Sequence, residues 1–381
     1  MNDRSLRIDA LRGVAILLVL QLHLFVIHLP LNEMGAPWWM IAIMSYFWAG
    51  VEIFFVMSSY LLTSNLLKHQ GQDNLTGAFY LRRALRILPL YWILLLAGVS
   101  MRAWWVWSGG DGQFWLWMNQ PSMFVYIFFV QNWVTGWVGE PFAHFYSPTW
   151  SLAVEEHFYL GLPLLIARLS PRRLCLMAIA LVAISPLIRA CLMNSAGPAA
   201  AYYWSFAHLD AFSWGALLAL AQRYRPDLLK QISARFSGFM AAALLLCASF
   251  WAPEMLNYKD STLGVTLAAL AGAFALLAAL QPPATPENSP GSWTQRLAWC
   301  GRRCYSLYLL HFPTFGVTYL VAKSALPSAF LYGGLPIPII ALLATFLLAA
   351  FAYRFIELPF MALADRIAPY ARTPRKVDAA A

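Results

Sequence analysis

The stretch RIDALRGVAILLVLQLHLF, residues 7–25, is apolar enough to enter a membrane but carries two ionisable side chains. Arg12 lies near its beginning, and His23 lies eleven residues further on. On an α-helix eleven residues turn through about 1100°, only about 20° past three full turns, and rise by about 16 Å. The two side chains therefore share one face of a predicted membrane helix, with Arg12 near the cytoplasmic surface and His23 in the outer half.

Apolar residues recur along the whole chain in blocks that are about twenty residues long, the length of a membrane-spanning helix. Of the 381 residues, 61% are hydrophobic and 11% are charged. These values predict an all-α integral membrane protein, a bundle of about ten transmembrane helices. The predicted spans lie near residues 11–30, 42–66, 87–107, 149–168, 174–194, 203–222, 237–252, 262–281, 304–323 and 335–356.

Lysines and arginines cluster in every second connection between these spans, which is the pattern of cytoplasmic loops. Both termini are therefore predicted to be cytoplasmic. For the same reason the net charge of +9 indicates topology, and no nucleic-acid partner is expected. The apolar segment 121–133 is short and is predicted to be interfacial or re-entrant. We expect one membrane domain over residues 1–365 and a basic cytoplasmic tail over 366–381; no feature indicates an oligomeric state.

Ionisable residues inside membrane spans usually face a cavity or a partner, which favours a functional role for His23. A histidine that bonds a neighbouring helix is the structural alternative. For Arg12 the alternative is a topology anchor whose side chain reaches the membrane surface. A second acidic stretch, PTWSLAVEEHFYL at 148–160, places Glu155 and Glu156 at about the depth of His23. A carboxylate there can orient a histidine that acts as a base, or it can simply fix helix packing.

Several further polar residues lie in predicted spans, and together they indicate a polar chamber inside the bundle. Taken singly, each would be interpreted as a contact between helices. They are Glu52, Ser58, Ser59, Asp210, Tyr308 and His311.

An arginine cluster opens the third predicted span in the sequence FYLRRALRILPLYW, 79–92. Arg82, Arg83 and Arg86 lie within about one helical turn, an arrangement suited to phosphate oxygens and equally explained as topology charge. Cys300 and Cys304 are four residues apart without a second pair of ligands, so no metal site is expected.

In order along the chain, RIDALRG with His23, VEIFFVMSSYLL, RRALRILPLYW, QNW, PTWSLAVEEHFYL, YSLYLLHFP and YRFIELPF resemble the motifs of the integral-membrane acyltransferase family 3. Members of this family O-acetylate bacterial surface and secreted carbohydrates. The resemblance implies an O-acyltransferase of the bacterial cytoplasmic membrane that uses acetyl-CoA as co-substrate and binds no permanent cofactor. Its acceptor would be a carbohydrate or glycolipid.

The resemblance assigns essential roles to Arg12 and His23, matches the basic loop motif to Arg83 and Arg86, and matches the acidic motif to Glu155 and Glu156. Ser59 departs from the family, which usually has glycine there. We expect His23 to act as general base, oriented by Glu155 or Glu156, while an acetylated His23 is the rival scheme. The alternatives from other classes are a transporter or flippase for a lipid-linked sugar and a non-enzymatic scaffold.

Overall fold

The computed structural model describes residues 3–26, 31, 34–109, 122–139, 145–251, 260–281, 291–325 and 336–370. Within these ranges the regular structure is helical. The α-helices are α1 (Asp3–Gln21), α2 (Trp38–Ser45), α3 (Ala49–Lys68), α4 (Leu75–Trp107), α5 (Met123–Ile127), α6 (Gln131–Val138), α7 (Thr149–Arg168), α8 (Pro171–Ser195), α9 (Pro198–Tyr203), α10 (Leu209–Tyr224), α11 (Pro226–Lys230), α12 (Ala234–Trp251), α13 (Val265–Leu280), α14 (Ser292–Arg302), α15 (Cys304–Ala325), α16 (Pro336–Ala352) and α17 (Leu358–Ile367).

Short helical segments of other kinds extend these helices. Three are π-helical, with wider turns than an α-helix, at Leu22–Val26, Asp260–Gly264 and Tyr353–Glu357. Two are 3-10 segments, at Tyr46–Trp48 and Ser205–His208. The predicted basic tail lies mostly at 371–381, outside the described residues.

Seven helical stretches in the described ranges are long and apolar enough to cross a membrane, which confirms the all-helical membrane class. Many of their large apolar side chains are exposed on the outside of the bundle, as a lipid-facing surface requires. The stretches are Ser5–Val26, Trp38–Lys68, Leu75–Trp107, Pro171–Ser195, Ala234–Trp251, Ser261–Leu280 and Pro336–Ile367.

The other three predicted spans also form helices, α7, α10 and α15, but these are shorter or more polar than the seven. Each contains residues singled out in the sequence: Glu155 and Glu156 in α7, Asp210 in α10, and Tyr308 and His311 in α15. The polar residues themselves reduce the apolarity of these helices. The number of ten spans and the side on which the termini lie stay predictions.

The segment predicted to be interfacial or re-entrant forms two short helices, α5 and α6, of five and eight residues. Neither is long enough to cross a bilayer, for which about 20 helical residues are needed. Both are held against the bundle by polar contacts: Gln131 donates a hydrogen bond to the Thr149 carbonyl at 2.8 Å, and Asn132 donates one to Ser205 at 3.0 Å.

Helix α3 forms the centre of the bundle and packs against α1, α7, α10 and α13. It meets α10 very closely at Gly215, where a Cβ atom would lie 2.1 Å from the Val56 carbonyl oxygen. A small residue is required at such a crossing. Helix α1 crosses α14 equally closely at Gly301, where a Cβ atom would lie 1.7 Å from the Asp9 carbonyl oxygen.

Candidate active site

A cavity of about 940 Å³ lies inside the bundle between α1, α3, α4, α7 and α15. It is lined by six of the residues selected from the sequence, of which Ser58 and Tyr308 belong to the predicted polar chamber. These six are Arg12, Ser58, Arg83, Arg86, Glu155 and Tyr308. Apolar side chains, among them Phe54, Phe55, Leu61, Leu62 and Ile87, form much of the remaining wall.

The cavity is cationic, because its lining includes three arginines and one carboxylate. Arg12 forms an ion pair with Asp9 at 3.6 Å and approaches the Cys304 sulfur at 3.1 Å. Glu155 accepts a hydrogen bond of 2.6 Å from the Tyr159 hydroxyl, which also lies 2.6 Å from the Ser58 hydroxyl. Among the described residues neither Arg83 nor Arg86 forms an ion pair within 4.0 Å of a carboxylate.

A second cavity, of about 580 Å³, adjoins the first and shares Leu62, Arg83 and Arg86 with it. Arg82 lines only this second cavity, where it pairs with Asp365 of α17 at 2.5 Å. The three arginines predicted to bind phosphate therefore lie around one entrance, at the end of the bundle that holds the start of α4. Arg83 and Arg86 continue into the interior, and Arg82 ties α4 to α17.

Tyr308 is the last residue along α15 that lines the first cavity. Its hydroxyl lies 2.5 Å from the Ser151 hydroxyl and donates a hydrogen bond of 2.9 Å to the Pro148 carbonyl, so it joins α15 to the start of α7. His311 follows Tyr308 on α15 by three residues, a rise of about 4.5 Å. The cavity thus ends about one helical turn below His311.

His23 lies beside His311, with 3.0 Å between His23 Nδ1 and His311 Nε2. His311 is fully buried, and its Nδ1 lies 2.6 Å from the Tyr308 carbonyl oxygen. His23 belongs to the π-helical segment Leu22–Val26, a kind of irregularity that is frequent at functional sites. Arg12 and His23 both contact α15, at Cys304 and His311, so they do share the predicted face.

The partner of His23 differs from the sequence-based expectation, in which Glu155 or Glu156 orients it. His23 Nδ1 faces His311 Nε2, while the Glu155 carboxylate accepts a hydrogen bond from Tyr159 in the cavity wall. Glu156 is adjacent to Glu155 but points elsewhere, as neighbours on a helix must, and its Oε1 atom is buried. The sequence alone does not show how deep each residue of a helix lies relative to the cavity, so it could not identify the partner of His23.

Three residues of the predicted chamber serve instead in contacts between helices. Glu52 of α3 lies 2.7 Å from His208, and both side chains are fully buried. Ser59 donates a hydrogen bond of 2.5 Å to the Phe212 carbonyl, directly beside the close crossing at Gly215. The close approach expected of a glycine at position 59 is therefore provided by the glycine on the facing helix.

Asp210, also predicted to line the chamber, forms a fully buried ion pair with Arg189 of α8. The pair is bidentate, with distances of 3.0 and 2.7 Å. Arg189 donates further hydrogen bonds to the Thr262 and Ala207 carbonyls and to Thr266, so α8, α10 and α13 are joined at one point. The signal for Arg189 was in the sequence, because an arginine in the middle of an apolar span requires a partner.

Ser151, Tyr159 and Cys304 line the cavity but were not selected from the sequence. Ser151 and Tyr159 flank the acidic pair Glu155 and Glu156 by one turn on either side, a spacing that could have indicated a shared face. Cys304 is a single cysteine at the start of an apolar helix, and only its contact with Arg12 distinguishes it.

The profile of the acyltransferase 3 family, an acyltransferase domain, matches residues 5–354, which is nearly the whole chain. Every residue that lines the first cavity lies in this range. This chain belongs to the acyltransferase 3 family. The first cavity and the histidine pair lie within the matched residues. No solved structure matches the chain.

Among curated members of the acyltransferase 3 family, the chain is 27% identical to YrhL of Bacillus subtilis over 383 residues. It is 25% identical to the peptidoglycan O-acetyltransferase OatA of Listeria monocytogenes and 26% identical to the O-acetyltransferase OatA of Staphylococcus aureus. Each match covers 92% of this chain and 54%, 55% and 56% of the respective relative. The chain thus spans about half the length of the curated relatives it matches.

Proposed function

We propose that the protein is a membrane O-acyltransferase that moves an acetyl or other acyl group from acyl-CoA to a hydroxyl of a cell-surface or secreted carbohydrate. The observation that carries this proposal is the alignment of a cationic entrance, a largely apolar cavity and a histidine pair along one path. Names of relatives support the reaction class, since all three relatives are named for O-acetyl transfer, YrhL as a putative peptidoglycan O-acetyltransferase. The membrane is the bacterial cytoplasmic membrane, with both termini on the cytoplasmic side.

The donor site lies at the arginine-lined entrance. Arg83 and Arg86 are shared by both cavities, so their guanidinium groups can bind phosphates of a CoA while its acyl-pantetheine arm occupies the inner cavity. The apolar wall suits the arm, and Arg12 lies beside the arm, about 16 Å below His23 along the first helix. Tyr308 and Ser151 are in contact on the side of the cavity towards the histidines, so we expect the acyl group to pass these two side chains.

The chemical step assigns the base to His23. Its imidazole removes the proton from the acceptor hydroxyl, and the oxygen attacks the thioester carbonyl. A C–O bond forms, the C–S bond breaks, and CoA leaves as a thiolate that takes a proton from His23 or water. In the rival scheme His23 attacks the thioester first and carries the acyl group itself.

The acceptor approaches from the opposite end of the bundle, near the carboxyl end of the helix that carries His23. A carbohydrate is the class favoured by the family, and peptidoglycan is the specific candidate because it appears in the name of the Listeria relative. Transfer to a soluble partner domain is a further route by which the acyl group could reach a distant sugar. The oligomeric state is not part of the proposal.

The test is acetyl transfer by purified protein in lipid nanodiscs, with labelled acetyl-CoA and a peptidoglycan fragment or another glycan as acceptor. We expect His23→Ala to lower the turnover number by about a hundredfold or more, the usual contribution of a general base. Gln21→Ala is the matched control, since Gln21 is exposed and two residues away. Normal transfer by His23→Ala protein contradicts the assignment, and labelled protein accumulating without acceptor favours the acyl-enzyme scheme.

A further inference from the structure

The histidine pair has a geometry that fixes where its protons lie. The ring centroids of His23 and His311 are 5.1 Å apart and the rings are inclined by only 20°. The facing nitrogens are 3.0 Å apart, so they lie close to the line that joins the two ring centres. The rings therefore meet edge to edge in nearly one plane, which is the arrangement of an N–H···N hydrogen bond.

The direction of that hydrogen bond follows from the other contact of His311. Its Nδ1 lies 2.6 Å from the Tyr308 carbonyl oxygen, which can only accept a hydrogen bond, so Nδ1 carries a proton. His311 is fully buried, where an isolated charge is costly, and the ring is therefore neutral with a bare Nε2. His23 Nδ1 must then donate to it.

We infer that His311 is a positioning residue that holds His23 in the Nδ1–H tautomer and so makes His23 Nε2 the basic nitrogen of the site. A histidine with its proton on Nδ1 has its lone pair on Nε2. The role of His23 Nε2 as the base rests on the proposed function, whereas the tautomer itself is a property of the folded protein. It replaces the carboxylate of familiar catalytic dyads by a neutral imidazole that accepts the Nδ1 proton's hydrogen bond.

The pairing has a consequence for the reaction. When His23 Nε2 takes the proton of the acceptor hydroxyl, the resulting cation keeps its hydrogen bond to His311 Nε2. His311 cannot pass the proton further along the chain of hydrogen bonds, because the Tyr308 carbonyl does not accept a proton at neutral pH. The proton therefore stays on the pair until the leaving thiolate or water removes it. The same nitrogen, Nε2, is the one that would be acylated in the rival scheme.

The experiment combines a tautomer measurement with kinetics. In protein labelled with ¹⁵N-histidine and held in nanodiscs, the His23 signals are assigned by their loss in His23→Gln. We expect a protonated Nδ1 and a bare Nε2 for His23 in the unaltered protein. His311→Phe keeps a planar ring but removes the acceptor, and should move the His23 proton to Nε2. His311→Gln keeps an acceptor oxygen and should retain the Nδ1–H tautomer.

The kinetic arm distinguishes positioning from folding. We expect His311→Phe to lower the turnover number by about a hundredfold, with the KM for acetyl-CoA changed by less than about twofold, because general-base catalysis contributes on that scale. The turnover number of His311→Gln should be at least about a tenth of that of the unaltered protein. Thr318→Val, on the same helix with a hydroxyl that only bonds the Thr314 carbonyl, is the control.

A bare Nδ1 on His23 in the unaltered protein, or a His311→Phe protein that keeps full turnover, overturns the inference. The tautomer result stands even if no acetyl transfer is found, in which case the proposed function fails alone. If His311→Phe protein does not fold, the His311→Gln variant decides, since an Nε2–H tautomer there contradicts the inference equally.

Discussion

His311 Nε2 lies 3.0 Å from His23 Nδ1, and the two rings join the first helix to α15 one turn above a cationic cavity. Eleven residues below His23 on the first helix, Arg12 contacts Cys304 of the same partner helix. The two contacts belong to one interface between the first helix and α15, with Arg12 at one end and the histidine pair at the other. The candidate site lies along this interface.

The arginines shared by the two cavities should determine donor affinity. We expect Arg83→Ala and Arg86→Ala each to raise the KM for acetyl-CoA by about tenfold to hundredfold, the value of a hydrogen bond to a charged group. A donor that lacks phosphates, S-acetyl-pantetheine, should lose far less. Steady-state kinetics with both donors measure this. Arg235→Ala, an exposed arginine of α12, is the control, and equal loss with both donors would argue against phosphate binding.

Cys304 should report occupancy of the inner cavity. Its thiol lines the cavity beside Arg12 and is otherwise buried, so a maleimide can reach it only through the entrance. In protein whose other four cysteines are replaced by serine, we expect saturating CoA to slow maleimide labelling at least several-fold. Mass spectrometry of the intact protein follows the labelling. A variant that keeps only Cys191, which is exposed, should label at the same rate with and without CoA.

The buried pair of Asp210 and Arg189 should be essential for stability. Asp210→Leu leaves the Arg189 guanidinium without its carboxylate in a fully buried place, which typically costs about 3–5 kcal/mol. We expect a large drop in the unfolding temperature in detergent, measured by the loss of monodisperse protein after heating. The double variant Asp210→Leu with Arg189→Met should recover most of it, because well-packed apolar residues can replace a buried ion pair. A single variant as stable as the unaltered protein would contradict the structural role.

Gly215 should not tolerate a side chain. A Cβ atom there would lie 2.1 Å from the Val56 carbonyl and 2.8 Å from the Ser59 Cβ, so Gly215→Ala must separate α3 from α10. We expect it to destabilise the protein by about 1–3 kcal/mol, the usual range for overpacking. Gly161→Ala is the matched control, since a Cβ atom there meets nothing within 4 Å. Equal unfolding temperatures for the two variants would show that the crossing can relax.

The basic connections predict that the carboxyl terminus is cytoplasmic. A green fluorescent protein fused after residue 381 should therefore fluoresce in intact bacteria, because that reporter folds on the cytoplasmic side. A periplasmic phosphatase fused at the same place should be inactive. The reverse pattern would place α17 and the arginine entrance, which Arg82 ties to it, on the outer side, away from cytoplasmic acyl-CoA.

Much of the site could be selected from the sequence because ionisable residues are expensive in a membrane and are therefore conspicuous there. Arg12, Arg83, Arg86, Glu155 and Tyr308 all line the first cavity. The sequence did not show the roles of the other candidate residues. In the sequence, Glu52 and Asp210 cannot be distinguished from residues that line a cavity. Only the tertiary structure shows that Glu52 pairs with His208 and Asp210 with Arg189.

The sequence by itself determined the helical membrane class, the shared face of Arg12 and His23, and the cationic entrance, because hydrophobic blocks, helical periodicity and charge clusters are local along the chain. The tertiary structure alone decided that His311, which is 288 residues away, is the partner of His23. It also decided that Tyr308 lies between the cavity and the pair. Such pairings depend on which helices pack together and at what height, and a small shift along a helix axis exchanges one polar neighbour for another.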